Sequence, residues 1–155
     1  MTGEPDTTRP AVRILCLDTD ERVLLLEWRD PLDSKVFWEP PGGGIEEGES
    51  AIEAARRELK EETGLPGSGV TGPIAFVQRD FIWAGRHLNA VEPFFIARVG
   101  DAPVDPVELT EEEQATLLGH HWWTPEALVE QPPHLVEPPE LLALLRRHVG
   151  GRWTQ

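Results

Sequence analysis

The hydrophobic positions at the start of the chain form short aliphatic runs. Ala11 to Leu17 (AVRILCL) and Arg22 to Arg29 (RVLLLEWR) are apolar at most positions, and the polar segment Asp18 to Glu21 separates them. This pattern predicts a hairpin whose two strands are buried on both faces. Val36 to Glu39 predicts another short strand, and the cluster Pro40 to Gly44 after it predicts irregular backbone.

The clearest helix is predicted over Ser50 to Thr63. Ser50 and Glu53 have the spacing of a capping box, in which each side chain accepts a hydrogen bond from the backbone of the other residue. Gly64 followed by Leu65 is typical of a helix end.

The second half of the chain predicts two longer strands and several short elements. Ile74 to Trp83 and Leu88 to Val99 are expected to pair around Ala84 to Arg86, with a bulge or a sheet edge at Pro93. The short elements are a helix over Thr110 to Leu118, a strand over His121 to Trp123, a helix beginning at Thr124 and Pro125, and a helix over Glu140 to His148. Strands on both sides of a helix indicate an α/β or α+β fold with a mixed sheet.

Composition limits the classes of partner and compartment. The chain has 155 residues, which fits a flexible tail over residues 1–10 and one domain over residues 11–155. Its 28 acidic and 14 basic side chains give a formal net charge of −14, which argues against a nucleic-acid polymer or an anionic membrane as partner. The single cysteine, Cys16, excludes an internal disulfide framework. With no signal-like or membrane-spanning apolar run, a soluble cytoplasmic protein is expected.

The predicted helix places three carboxylates on one face near its C-terminal end. Glu58, Glu61 and Glu62 are related by i, i+3 and i+4. Like charges at these spacings repel by about 0.2–0.5 kcal/mol per pair, and the helix dipole disfavours carboxylates there by about 0.3–1 kcal/mol each. A solvated acidic face is one interpretation. A bound divalent cation is the other, since Mg²⁺ is held by a few carboxylates together with waters or phosphates.

Three consecutive glycines just ahead of the helix favour the second interpretation. Backbone without Cβ atoms at Gly42, Gly43 and Gly44 can approach a phosphate closely and direct N–H groups at it. A tight turn alone would also explain these glycines. Together with the carboxylates, they indicate a site for a metal ion and a phosphate group.

The segment from Gly43 to Leu65 (GGIEEGESAIEAARRELKEETGL) resembles the Nudix box, G-x5-E-x7-R-E-U-x-E-E-x-G-U, where U is a bulky aliphatic residue. Every specified position of the motif is filled. The residues that fill it are Gly43, Glu49, Arg57, Glu58, Leu59, Glu61, Glu62, Gly64 and Leu65.

The resemblance implies a fold, an activity and a set of roles. It implies an α/β/α sandwich around a mixed sheet, and hydrolysis of a nucleoside diphosphate linked to another group X with Mg²⁺ or Mn²⁺. By the same likeness Glu58, Glu61 and Glu62 would bind the metal, and Arg57 would orient Glu49 through an ion pair. It also allows a homodimer.

Hydrolysis of a diphosphate needs a carboxylate that accepts a proton from water. Glu58 is one candidate. Glu111, Glu112 and Glu113 are candidates outside the motif, with Glu113 preferred, although a capping box between Thr110 and Glu113 would also explain acidic residues there. Glu92 is a weaker candidate.

The identity of X is less constrained. The chain contains no tyrosine, so it lacks a counterpart of the family's tyrosine associated with dinucleoside polyphosphates. Trp28, Phe76, Phe81 and Trp83 could stack on a base or sugar, or could pack in the core.

Two other functions compete with the hydrolase. An isopentenyl diphosphate isomerase would rely on a catalytic cysteine, whereas Cys16 falls in an apolar strand. A non-catalytic nucleotide sensor or interaction module would be free to lose the carboxylates of the motif, all of which are present here.

Overall fold

The computed structural model describes residues 10–154, and its strands form a single mixed sheet. Apart from Pro10, the expected N-terminal tail lies outside these residues. The strands are β1 Ala11–Leu17, β2 Val23–Arg29, β3 Val36–Glu39, β4 Gly42–Gly44, β5 Thr71–Trp83, β6 Arg86–Arg98 and β7 Leu117–Trp123. The α-helices are α1 Ala51–Thr63, α2 Glu111–Thr116, α3 Pro125–Val129 and α4 Leu141–His148. Short 3₁₀ turns lie at Gly67–Gly69, Pro133–Leu135 and Gly151–Thr154.

The sheet combines parallel and antiparallel pairing. Its main strand order is β3-β2-β1-β6-β5, with β4 paired to β1 and β7 paired to β2. β1 and β6 are parallel, whereas the other pairs are antiparallel. The predicted mixed sheet is therefore confirmed. Parallel pairing of β1 with β6 also explains why β1 is almost continuously apolar, since it is covered on both faces.

Two details of the predicted strands are wrong. The backbone at Gly42–Gly44 is not irregular, because these residues form β4 and pair with Ala11, Val12 and Arg13 of β1. β1 and β2 pair only at Leu17 and Val23, so they are not a full hairpin. Most of β1 instead pairs with β6, a long-range contact that local hydrophobic patterning does not encode.

The expected boundaries around α2 and Pro93 also change. The helix predicted over Thr110 to Leu118 ends at Thr116, because Leu117 begins β7 and pairs with Trp28 of β2. Pro93 lies within β6, opposite Phe76, and the pairing of β6 with β1 begins one residue later, at Phe94. A proline has no backbone N–H to donate, so it is tolerated where one side of the strand has no hydrogen-bonded neighbour.

Helices cover both faces of the sheet. On one face α1 packs with Val12, Ile14 and Cys16 through Ala54, Ala55 and Leu59. On the other face α3 and α4 pack with alternate residues of the same strands, including Leu15 and Leu25. The result is the expected α/β/α sandwich. Leucines of α4 belong to this core, with Leu141 and Leu145 fully buried.

Cys16 is a core thiol. It is fully buried, and burial, assisted by Asp18, raises the pKa of its thiol to about 12. A neutral thiol in an apolar strand is unreactive, which argues against the isomerase alternative. Among the described residues, no helix has the length and apolar character needed to cross a membrane.

Candidate active site

Capping at both ends fixes α1 and its acidic residues. The Ser50 side chain accepts a hydrogen bond from the Glu53 N–H, and Glu53 accepts one from the Ser50 N–H, which confirms the capping box. Gly64 adopts the left-handed conformation and donates its N–H to the Lys60 carbonyl. A distant segment, residues 105–108 just ahead of α2, donates N–H groups to the Glu61 and Thr63 carbonyls. These bonds hold the segment leading to α2 against the acidic end of α1.

A cavity of about 420 Å³ lies between the C-terminal end of α1, the glycines of β4 and helix α2. Residues of β2, β3, β5 and β6 also line it. Its lining includes the carboxylates of Glu58, Glu61, Glu62 and Glu113, together with aromatic rings.

Three of these carboxylates lie close enough together to share a metal ion. One carboxylate oxygen from each of Glu58, Glu62 and Glu113 lies within 4.8 Å of the other two. Glu58 and Glu62 are only 9% and 2% exposed. Burial raises the pKa of Glu58 to about 7 despite the opposing effect of Arg57. Burial and the neighbouring Glu58 also raise the pKa of Glu62 well above its ordinary value.

The donor set of this cluster fits a hard divalent cation. Buried like charges at this separation are unfavourable in the absence of a counter-charge. Oxygen ligands from carboxylates are those that Mg²⁺ and Mn²⁺ prefer. The sequence predicted Glu58 and Glu62 for this role. It did not place Glu113 with them, because the two helices that carry these residues are about fifty positions apart and only tertiary packing brings them together.

Arg57 holds the remaining carboxylates of the motif. Its Nε lies 2.7 Å from Glu49 Oε2, so the expected ion pair is present, and its Nη2 donates to the Gly44 carbonyl at 2.9 Å. Its Nη1 lies 2.9 Å from Glu58 and 3.1 Å from Glu61. The Glu49 carboxylate, followed by Glu58, raises the pKa of Arg57 above its ordinary value. Glu61, a predicted metal ligand, thus contacts Arg57 and lies outside the group of three converging carboxylates.

The glycines of β4 allow the carboxylates to approach the backbone. Gly42 donates its N–H to Glu62 Oε1 at 2.9 Å. A Cβ at Gly43 would lie 2.5 Å from the carboxyl carbon of Glu58, closer than real Cβ contacts. All three glycines line the cavity, and phosphate binding by Gly42, Gly43 and Gly44 stays a prediction.

The other candidate bases lie in different surroundings. Glu111 is exposed and is not among the residues that line the cavity. Glu112 lines it and accepts a hydrogen bond from Trp83 Nε1 at 3.2 Å. Glu92 is buried away from the cavity, 2.7 Å from Arg79.

The candidate stacking residues divide into two groups. Trp28, Phe81 and Trp83 line the cavity together with Phe37, which is not among the residues predicted from sequence. Phe76 lies outside the cavity and is 68% exposed. Phe37 was not distinguishable by sequence because its position depends on the pairing of β3 with β2.

Comparison with known proteins identifies the family. The family model described as NUDIX domain matches residues 7–145. The chain belongs to the Nudix family. Nudix hydrolases generally use divalent metals, and this member is a hydrolase acting on pyrophosphate bonds.

Individual relatives cover most of this Nudix chain. Nudix hydrolase 25 of Arabidopsis thaliana is 27% identical, covering 84% of this chain and 81% of the relative. An RNA pyrophosphohydrolase of Novosphingobium aromaticivorans is 29% identical, covering 84% of this chain and 83% of the relative. The structure of a NUDIX hydrolase from Nitrosomonas europaea superposes with a TM-score of 0.66 at 21% identity, covering 94% of this chain and 92% of that one, which supports the fold.

Proposed function

We propose that this Nudix hydrolase uses Mg²⁺ to cleave the diphosphate linkage of a nucleoside diphosphate joined to another group. The observation that carries the proposal is the convergence of Glu58, Glu62 and Glu113 beside the glycines of β4. A buried acidic cluster needs a cation before a phosphate can approach it, and Mg²⁺ commonly binds carboxylates and substrate phosphates together.

The three converging carboxylates would hold the metal. Glu61 lies beside them and forms an ion pair with Arg57. When bound, Mg²⁺ neutralises charge on the phosphate oxygens and lowers the pKa of water. Mn²⁺ suits the same oxygen donors.

The residues of the chain itself would orient the reacting groups. Arg57 holds Glu58 and Glu61 in place and ties them to the Gly44 carbonyl, so the carboxylates are oriented before substrate binds. Glu58 or Glu113 would accept the proton from the attacking water. The absence of a side chain at Gly43 leaves room for Glu58 and for a phosphate group.

The classes of partner stay predictions. They are a small nucleoside diphosphate derivative as substrate, no nucleic-acid polymer, no membrane, a homodimer allowed by the family likeness, and a cytoplasmic location. Because one relative is named an RNA pyrophosphohydrolase, 5′-triphosphate RNA belongs among the substrates to be tested.

The proposed function is tested by phosphate release with and without Mg²⁺ across nucleotide sugars, ADP-ribose, dinucleoside polyphosphates, nucleoside triphosphates and 5′-triphosphate RNA. Coupling enzymes convert each product to inorganic phosphate. We expect at least one nucleoside diphosphate derivative to be cleaved only when the metal is present. Metal-independent cleavage, or no cleavage of any compound, would contradict the proposal and favour a sensor.

Replacing Glu113 by glutamine tests its place in the cluster. As a metal ligand, its loss should raise the Mg²⁺ concentration needed for half-maximal activity by about tenfold, with much of kcat recovered at saturating Mg²⁺. Steady-state kinetics over a range of Mg²⁺ concentrations measure both quantities.

Glu111→Gln is the matched control, since Glu111 lies on the same helix but does not line the cavity. It should behave as the wild type. A loss of kcat in Glu113→Gln that Mg²⁺ does not relieve would instead assign proton transfer to Glu113.

A further inference from the structure

An arginine outside the Nudix box lies next to the candidate metal ligands. Arg13 is on β1, between Gly42 of β4 and Phe94 of β6. Its side chain passes so close to Gly42 that a Cβ there would lie 2.9 Å from Arg13 Cδ, and the Gly42 N–H binds Glu62. Among the described residues, Arg13 and Arg57 are the two arginines that line the cavity.

Arg57 has no donor left for a substrate. Its Nε donates to Glu49, and its Nη1 donates to Glu58 and Glu61. Its Nη2 donates to Glu49 and to the Gly44 carbonyl. The five N–H groups of a guanidinium are all used in these contacts. An arginine contact with the substrate in this cavity therefore has to come from Arg13.

A buried network of ion pairs holds Arg13 in place. Its Nη1 lies 2.9 Å from Glu39, and its Nε lies 3.5 Å from Glu92. Arg79, only 2% exposed, lies 2.8 Å from Glu39 and 2.7 Å from Glu92. The two glutamates are thus shared by two arginines. A guanidinium fixed in this way loses little conformational freedom when it binds an anion.

One terminal nitrogen of Arg13 is left without a partner. Nη1 also donates to the Pro40 carbonyl at 3.2 Å, and Nε is enclosed by protein. Nη2 has no hydrogen-bond acceptor among residues 10–154 and is not one of the enclosed nitrogens. Because β1 has a neighbouring strand on each side of Arg13, Nη2 is reached from the cavity.

Arg13 stays positively charged in this setting. Burial lowers its pKa, but the surrounding carboxylates outweigh burial and raise the pKa above its ordinary value. The larger contributions come from Glu39 and Glu92, and the smaller ones from Glu62 and Glu58. Arg13 is therefore within electrostatic range of both the buried network and the candidate metal ligands.

We infer that Arg13 binds a non-bridging phosphate oxygen of the substrate through Nη2, beside the metal. This rests on the proposed function and deepens it, because it adds a substrate contact outside the Nudix box. A guanidinium is planar and permanently charged, and its N–H groups match the spacing of phosphate oxygens. Since Mg²⁺ neutralises only part of the charge of a diphosphate, a second cation in the same cavity favours substrates with two adjacent phosphates.

Binding of imidodiphosphate tests this inference without hydrolysis. This diphosphate analogue has a nitrogen in place of the bridging oxygen. Arg13→Lys keeps a positive charge beside Glu39 but lacks the second terminal nitrogen. Calorimetry in the presence of Mg²⁺ should show at least about tenfold weaker binding of imidodiphosphate to Arg13→Lys than to the wild type. Unchanged affinity, or no measurable binding by the wild type, would overturn the inference.

A titration with Mn²⁺ alone separates a phosphate contact from a structural role. Arg13→Lys should bind Mn²⁺ within about twofold of the wild-type affinity, because Arg13 is not a metal ligand. A parallel loss of Mn²⁺ and imidodiphosphate affinity would mean that Arg13 acts only by holding Gly42 and Glu62, and would overturn the inference.

Arg79→Lys is the matched control, because Arg79 pairs with the same two glutamates but does not line this cavity. It should retain the wild-type affinity for imidodiphosphate even if thermal unfolding shows that it is less stable. An equal loss of affinity in both variants would attribute the effect to the buried network and overturn the inference.

A measurement on the wild-type protein covers the case in which a variant does not fold. In ¹⁵N NMR spectra recorded with Mg²⁺, imidodiphosphate should shift the side-chain resonances of Arg13 but not those of Arg152, which pairs with Glu126. No shift at Arg13 would overturn the inference. A shift at Arg13 in a protein that hydrolyses no compound of the panel would support the inference while contradicting the proposed function.

Discussion

Replacing Glu62 by glutamine should lower kcat/KM at least about 100-fold while leaving the protein folded. Glu62 is 2% exposed and contributes an oxygen to the converging carboxylates. Glutamine keeps an oxygen that can accept the hydrogen bond from the Gly42 N–H, but it removes the negative charge that attracts the cation. Kinetics at several Mg²⁺ concentrations and Mn²⁺ titration by calorimetry would measure activity and metal affinity separately.

The same variant should not be less stable without metal. Glu62 lies among carboxylates in a buried setting, so removing its charge relieves repulsion with Glu58. Thermal unfolding in EDTA should give a Tm at or above that of the wild type, whereas the stabilisation produced by added Mg²⁺ should shrink.

Glu53→Gln is the matched control for Glu62→Gln. Glu53 lies on the solvent side of the same helix, and a glutamine there can still complete the capping box with Ser50. Its activity should match that of the wild type. If Glu62→Gln keeps more than about a tenth of wild-type kcat/KM and binds Mn²⁺ normally, Glu62 is not a metal ligand.

Replacing Gly43 by alanine should also disable the site, by a steric route. A Cβ at this position would lie 2.5 to 2.6 Å from the carboxyl atoms of Glu58, so the Glu58 carboxylate must move. We expect kcat/KM to fall by at least about tenfold, with little change in the free energy of unfolding, because the displaced atoms are the far end of the flexible Glu58 side chain. Steady-state kinetics and denaturant unfolding measure the two effects.

Gly119→Ala is the matched control for Gly43→Ala. A Cβ at Gly119, within β7, meets no atom within 4 Å, and neither glycine has a positive φ. The control should therefore change neither activity nor stability appreciably. Wild-type activity in Gly43→Ala would mean that Glu58 can move without consequence, and would remove it from the set of metal ligands.

The helix that carries the acidic residues is predictable from sequence because its signals are local. Ser50 and Glu53 cap its start, Gly64 ends it, and the 3.6-residue period alone places Glu58 and Glu62 on one face. The ion pair between Arg57 and Glu49 is likewise contained within the motif and its adjoining turn. The helix follows from local spacing, whereas the ion pair was expected from the resemblance to the Nudix box.

Contacts between distant segments were decided only by the tertiary structure. β1 pairs in parallel with β6 along most of its length and with β2 only at one end. Leu117, expected in a helix, is instead the first residue of β7. These choices depend on which sheet edge is available, a property of the folded chain and not of a local window. The pairing of β3 with β2 places Phe37 opposite Trp28, and both line the cavity with Trp83.

The location of Glu113 shows most clearly which features are local in sequence and which depend on the tertiary structure. Its sequence surroundings, Thr110 followed three residues later by glutamate, specify a capping box, and that box is present. Its approach to Glu58 and Glu62 instead depends on residues 105–108, whose N–H groups bind the free carbonyls at the end of α1. The sequence by itself determined the family and the acidic helix, because these follow from short-range spacing. Only the tertiary structure decided which carboxylates converge and which rings line the same cavity, because both depend on long-range packing.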